Sequence, residues 1–220
     1  MQEPVYLVPR LFVESAPGKV ESWLEFRIGM SRLYVVRNVM EFLQSMMAGE
    51  DYPLGRSSVI HMASLRWADR VSKELWGLMK QAYLDEKSLL RHQPALSYMH
   101  ALQKSTVFEH KVMHLTPSLL AAFLAIMGEQ SIELHIDGSE AIAAHLREGK
   151  PQLHLDVSRV GGQNGCIRFD DGDLTPLSEN CCLLYQSEGI YRWMKRSGAP
   201  CSRSGRRLPA RRACSSRMPT

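Results

Sequence analysis

The chain has 220 residues, of which 45% are hydrophobic and 23% charged, the profile of a globular protein with length for one domain or two small ones. The longest uninterrupted apolar run, Leu119 to Met127, is far short of the roughly 18–20 residues that span a bilayer. Met1-Gln2-Glu3-Pro4 has neither the basic start nor the apolar stretch of a secretory signal, so membrane insertion and export are not expected. The net charge of +4 hides a split, because residues 195–220 hold eight Lys/Arg and no Asp or Glu, leaving 19 basic against 23 acidic residues before them. The body is mildly acidic, and the basic balance comes from the tail. All five cysteines lie at or after Cys166, and Cys181-Cys182 are adjacent, which suits no disulfide framework and points to the cytoplasm.

Val5-Tyr6-Leu7-Val8 and Leu11-Phe12-Val13 read as strands broken by Pro9, and Pro17-Gly18 marks a turn. From Ser22 to Ile28 the alternation is clean, with Leu24, Phe26 and Ile28 on one face and Glu25 and Arg27 on the other. Gly29-Met30-Ser31 connects this strand to Leu33-Tyr34-Val35-Val36 as a hairpin. Asn38 caps a helix whose apolar face is Val39, Phe42, Leu43, Met46 and Met47, ended by Gly49. Tyr52 to Gly55 is a loop and Ser58 to Met62 a further strand. Ser64 opens a long helix with Leu65, Ala68, Val71, Leu75, Leu78, Met79 and Ala82 on one side. Thr116-Pro117 starts a helix that is apolar nearly all round, hence buried.

After Gly128 the pattern turns to strands. Ile132 to Ile136 and Gln152 to Val157 alternate, with a short helix expected from Ser139 to Arg147 between them. Cys166 to Phe169, Cys181 to Gln186 and Ile190 to Trp193 read as strands, with Ser187-Glu188-Gly189 a hairpin loop. The expected class is α+β: antiparallel strands and several helices over residues 1–128, a β-rich continuation over 129–194, and a disordered basic tail over 195–220. The tail is too poor in large apolar residues to offset its ordering entropy. It starts abruptly after Trp193-Met194, so we read it as an out-of-frame or read-through end, which would leave the strand Ile190 to Trp193 an exposed edge.

No stretch matches G-x-x-x-x-G-K-[ST], and no acidic pair follows an apolar strand, so no nucleotide cofactor is expected. Asp85-Glu86 belongs to a charged helix face. Gly138-Ser139 lacks the flanking glycine of a nucleophile elbow and reads as a helix cap. His110 and His114, four apart, would share a helix face, but Lys111 stands where a zincin needs Glu, and two ordinary histidines are the better reading. His135 and His154 occupy corresponding places in alternating strands and are read as solvent-facing cross-strand neighbours. The five cysteines contain no C-x-x-C, so no metal is expected. Trp23, Trp67, Trp76 and Trp193 read as core packing. Arg203, Arg206, Arg207, Arg211 and Arg212 could bind nucleic acid through its phosphates, without sequence preference.

One stretch carries a resemblance. Ser22-Trp23-Leu24-Glu25-Phe26-Arg27-Ile28-Gly29, Arg32-Leu33-Tyr34-Val35-Val36-Arg37-Asn38-Val39, Glu41-Phe42-Leu43 and Tyr52-Pro53-Leu54-Gly55 together resemble the helicase-associated region ahead of the motor in bacterial SWI/SNF-type (DEAD/DEAH-box-like) ATP-dependent helicases. The likeness is close over residues 20–60, extends through 194, and covers none of 195–220. It implies an intact parent that is a DNA translocase with a two-lobed motor after this region, many members also carrying a zinc module ahead of it. For this chain it implies a truncated, non-catalytic accessory module, with the motor domains and DNA as partners in the parent and no catalytic, cofactor or metal residue to carry over. The readings that compete with it are a small nucleic-acid-binding protein using the arginine tail and an interaction module pairing through the strand Ile190 to Trp193.

Overall fold

A computed structural model describes residues 4–16, 19–55, 58–92, 107–149, 151, 154–160, 164–170, 174–178 and 182–192. Among them are three α-helices and a mixed sheet of ten strands, an α+β architecture. The turn at Pro17-Gly18, Trp193 and the whole of 195–220, including Arg203, Arg206, Arg207, Arg211 and Arg212, lie outside the described residues.

Strand β1 (Tyr6–Ala16) pairs antiparallel with β2 (Lys19–Gly29) along its full length. The expected break at Pro9 does not occur, and the hydrogen-bond directions explain why. Pro9 faces Phe26, whose carbonyl accepts from Val36 N–H and so points away from β1. The Pro9 nitrogen therefore points away from β2, and the ladder on that side begins only at Arg10. A missing N–H at that site removes no ladder bond. Two residues earlier, Leu7 N–H points the same way and donates to the buried Ser72 Oγ at 2.9 Å.

Strand β3 (Leu33–Val35) folds back on the end of β2, as the alternation predicts. The connection is tight at Gly29, where a Cβ would lie 1.9 Å from the Arg32 carbonyl oxygen. Helix α1 (Val39–Ala48) follows, with Asn38 Oδ1 accepting from the N–H groups of Met40 and Glu41, and Gly49 closing it at φ 70°. Its buried side chains are Val39, Phe42 and Leu43; Met46 is half-buried and Met47 exposed.

The loop from Tyr52 contains a two-residue strand, β4 (Tyr52–Pro53), paired with β5 (Val59–Ile60). Met62–Ser64 is a 3-10 turn, and the long helix starts later than its apolar spacing suggests, as α2 (Arg70–His92). Leu65 to Ala68 run extended instead, because Val5 accepts from Ala68 N–H and donates to the Arg66 carbonyl. Asp69 then takes over as the cap, its Oδ1 accepting from Ser72 N–H at 2.6 Å.

Strands β6 (Phe108–Glu109) and β7 (Val112–His114) form a hairpin on the far side of β2. His110 and His114 therefore do not share a helix: His110 sits in the turn at φ 49°, its carbonyl accepting from Val39 N–H, and His114 lies on β7. Helix α3 (Pro117–Met127) starts as expected, Thr116 Oγ1 accepting from Leu119 N–H, and buries Leu120, Phe123, Leu124 and Met127.

Strand β8 (Ile132–Ile136) pairs parallel with β1, tying residues after 128 into the same sheet as those before it. The segment expected as a helix from Ser139 is strand β9 (Ile142–Arg147), antiparallel to β8. Asp137 and Gly138, both at positive φ (49° and 73°), make the reversal, with Ser139 N–H donating to the Ile136 carbonyl. Alanine-rich as it is, the segment takes strand geometry because its backbone has a ladder partner on each side.

Strands β10 (His154–Val160) and β11 (Asn164–Asp170) form a separate two-stranded sheet, so His154 is not a neighbour of His135. Strands β12 (Thr175–Pro176), β13 (Leu183–Gln186) and β14 (Gly189–Arg192) complete the main sheet. The order is β12-β13-β14-β9-β8-β1-β2-β7-β6, with β3 on β2. Strand β14 is flanked by β13 and β9 and Ile190 is fully buried, so the expected exposed edge at Ile190 to Trp193 is corrected for its described part.

The core lies between one face of this sheet and the helices. Leu7, Leu11, Val13, Leu24, Phe26 and Ile28 from the strands meet Val39, Phe42, Leu43, Val71, Leu75, Met79, Leu120 and Phe123 from the helices. Each such side chain contributes about 1.5–3 kcal/mol when fully buried.

Candidate functional site

Strand alternation sends the remaining residues of β1, β2 and β8 to the other face of the sheet. Register sets Arg10 between Glu25 and Glu133, and Phe12 between Trp23 and His135. These two neighbouring rows bring charged and aromatic side chains together on that face.

Arg10 is the hub. Its Nε donates to Glu133 Oε1 at 2.7 Å, its Nη2 lies 3.0 Å from His135 Nε2, and its Nη1 is 3.7 Å from Glu25 Oε2. Lys111 Nζ reaches the other Glu25 oxygen at 2.8 Å, and Arg27 Nη1 approaches Glu133 Oε2 at 3.7 Å. Partial burial alone would raise the Glu133 carboxyl. The hydrogen bonds from Arg10 and His135 and the charges of Arg10 and Arg27 outweigh it and hold the group below the usual carboxylate value.

Beside this network stands a row of three parallel rings. His135 stacks on Phe12 at 4.4 Å between centroids with 6° between planes, and Phe12 on Trp23 at 5.7 Å with 5°. The Arg10 guanidinium lies 5.2 Å from the Phe12 ring centre. His135 is only 12% exposed, which corrects its reading as solvent-facing. Trp23 belongs to this outer row rather than to the helix-packed core, and all three described tryptophans, Trp23, Trp67 and Trp76, are half-buried. At the β3 end the same face exposes Tyr6, Leu33 and Val35 at 42%, 38% and 42%.

Chemically, the cluster stores charge rather than presenting a nucleophile. Arg10 can only donate and the Glu133 carboxylate only accept, so His135 Nε2, within 3.0 Å of the one and 3.3 Å of the other, bonds whichever its proton state allows. Among the described residues no group of three or more His, Cys, Asp or Glu is placed to hold a metal ion. No described helix is long and apolar enough to cross a membrane. The alternation already put Glu25 and Arg27 on this face. It could have added Arg10 and Phe12 had β1 been read as one strand, whereas their pairing with Glu133 and His135 joins segments 123 residues apart and leaves no local trace.

Three of the residues that carry the helicase-region resemblance, Asn38, Phe42 and Tyr52, meet on the opposite, helix-covered side. Phe42 packs edge-on against Tyr52 at 5.3 Å and against Trp76 at 6.3 Å. Burial raises the Tyr52 hydroxyl above its ordinary value, against the backbone hydrogen bonds at Asn38 and Arg37 that favour its ionised form. The capping Asn38, the helix Phe42 and the loop Tyr52 thus form one packed unit.

Compared with known proteins, the chain matches no family model, no curated protein and no solved structure.

Proposed function

We propose that this chain is the non-catalytic accessory module of a bacterial SWI/SNF-type DNA translocase, acting in the cytoplasm. The observation that supports this reading is the convergence of the separate signature segments on one another. The alternating strand of residues 22–29 pairs with the Tyr-Val-Val strand. Asn38 caps the helix that brings Phe42 against Tyr52 of the loop. The outer sheet face, with Tyr6, Leu33 and Val35 exposed beside Arg27, is the surface such a module would turn toward a larger assembly.

The test uses the two-lobed motor of a bacterial SWI/SNF-type ATPase whose own region of this kind has been removed. The chain is expected to co-elute with that motor and to change its DNA-stimulated ATP turnover, while turning over no ATP alone. ATP hydrolysis by the chain itself, or failure to associate with the motor, overturns the reading.

A second reading, a small nucleic-acid-binding protein, rests on the charge segregation: eight basic and no acidic residues in 195–220. It requires that removing residues 195–220 lower DNA affinity and flatten its dependence on salt. Unchanged affinity in the shortened chain disposes of it.

A further inference from the structure

We propose that His135 is a proton-operated selector that decides which carboxylate Arg10 holds. Arg10 sits where β1 pairs in parallel with β8, the ladder that joins the strands after residue 128 to those before it. Its guanidinium reaches Glu133 at 2.7 Å and Glu25 at 3.7 Å. It is thus seated on Glu133, with Glu25 as a second acceptor within a short movement.

The ring of His135 holds it there. A guanidinium is always protonated and carries no acceptor, so the 3.0 Å contact between Arg10 Nη2 and His135 Nε2 is a hydrogen bond only while Nε2 is unprotonated, whereas the 3.3 Å contact of the same nitrogen with Glu133 Oε1 is one only when it carries a proton. With Nε2 unprotonated, the ring proton resides on Nδ1, which faces the Ser139 carbonyl at 3.3 Å. Phe12, stacked on the ring, fixes its plane. In the state that makes the shorter contact, His135 is neutral and its ring accepts from the same guanidinium that Glu133 binds.

Adding a proton at Nε2 inverts this arrangement. The new N–H and the new positive charge face Arg10 at 3.0 Å, where a donor meets a donor. Glu133 Oε1 lies 3.3 Å from the same nitrogen and accepts the new N–H. The network around Glu133 keeps that carboxylate ionised and so ready for it. Arg10 then moves to Glu25 Oε2, since Lys111 occupies only Oε1. The remaining charged neighbours do not compete. Arg27 stays on Glu133 Oε2, and Asp137 Oδ1 is engaged by Ser15 N–H. Glu140 is exposed, its carbonyl accepting from Ser139 Oγ. The facing residues of β9, Ile142, Ala143 and Ala144, bring no charge.

The experiment is a nitrogen-15 NMR titration of the full chain from about pH 8 to about pH 5, spanning the histidine range. It follows the His135 ring nitrogens and the Arg10 Nε–H. At the alkaline end His135 is expected to carry its proton on Nδ1. As pH falls, the Arg10 Nε–H resonance is expected to shift along a one-proton curve with the midpoint of His135. In His135→Gln that shift is expected to vanish. Glu25→Gln, which weakens the second seat, is expected to lower the His135 midpoint. A proton on Nε2 at the alkaline end overturns the proposal. So does an Arg10 resonance that stays still while His135 titrates, and both of these are read on the unaltered chain.

Discussion

The two faces of the β1–β2 pair solve different problems with alternate residues of the same strands. Toward the helices, Leu7, Leu11, Leu24, Phe26 and Ile28 are all but fully buried, and the contacts are non-directional. Away from the helices, Arg10, Glu25, Arg27, Glu133 and His135 form a directional network, and a ring stack stands in for helical cover. The inner face holds the fold together through area removed from water. The outer face specifies how β8 lies against β1, because a one-residue slip would set Arg10 against Leu134 in place of Glu133.

Truncating the inner face should have the largest effect. Phe42→Ala removes a fully buried ring that contacts both Tyr52 and Trp76. It is expected to cost about 3–5 kcal/mol in denaturant unfolding, with loss of the Tyr52 environment in near-ultraviolet dichroism. A cost below about 1 kcal/mol would mean that the site can collapse around the gap, at odds with a jigsaw core. Ser72→Ala comes next. It leaves the Leu7 N–H without its acceptor in a buried position, for about 1–3 kcal/mol. Ser72→Thr, which keeps a hydroxyl, should recover part of that stability. Asn38→Ala removes the α1 cap and is expected to cost about 0.5–2 kcal/mol, with Asn38→Asp close to the unaltered chain. Equal losses in the alanine and aspartate variants would show that the side-chain oxygen is not what matters there.

These inner-face features were largely legible in the sequence because their causes are local. The alternation from Ser22 to Ile28, the Asn38 and Gly49 caps, the Thr116-Pro117 start and the Ser187-Glu188 reversal each rest on neighbours a few residues apart. The misreadings share the opposite property. Pro9 continues a strand because the ladder on its nitrogen side begins one residue later. Leu65 to Ala68 leave the helix because Val5 offers backbone partners to Arg66 and Ala68 from far along the chain. Ile142 to Arg147 form a strand because β8 and β14 flank them, although Asp137-Gly138 was a hairpin signal in plain view. The outer cluster was half legible: periodicity gives the face, but only the parallel pairing of β1 with β8 brings Glu133 and His135 to Arg10.

The smallest expected effect is electrostatic and distinguishes the faces by pH. Glu133 ionises more readily in the folded chain than in the unfolded one, since Arg10, His135 and Arg27 favour its charged form more than partial burial opposes it. Its contribution is therefore complete above the unfolded carboxyl value, near 4.5. That contribution is lost as pH falls through the lower folded value, because the unfolded chain takes up the proton first. With the carboxylate about one-third exposed, solvent screening keeps the size small. Glu133→Gln should flatten the fall in unfolding free energy between about pH 5 and pH 3 relative to the unaltered chain. Phe42→Ala, an inner-face change with no titrating group, should lower the whole curve and leave its slope as it was. If the two variants altered the slope alike, the acid sensitivity would belong to the fold as a whole, and the outer network would have no separate electrostatic role.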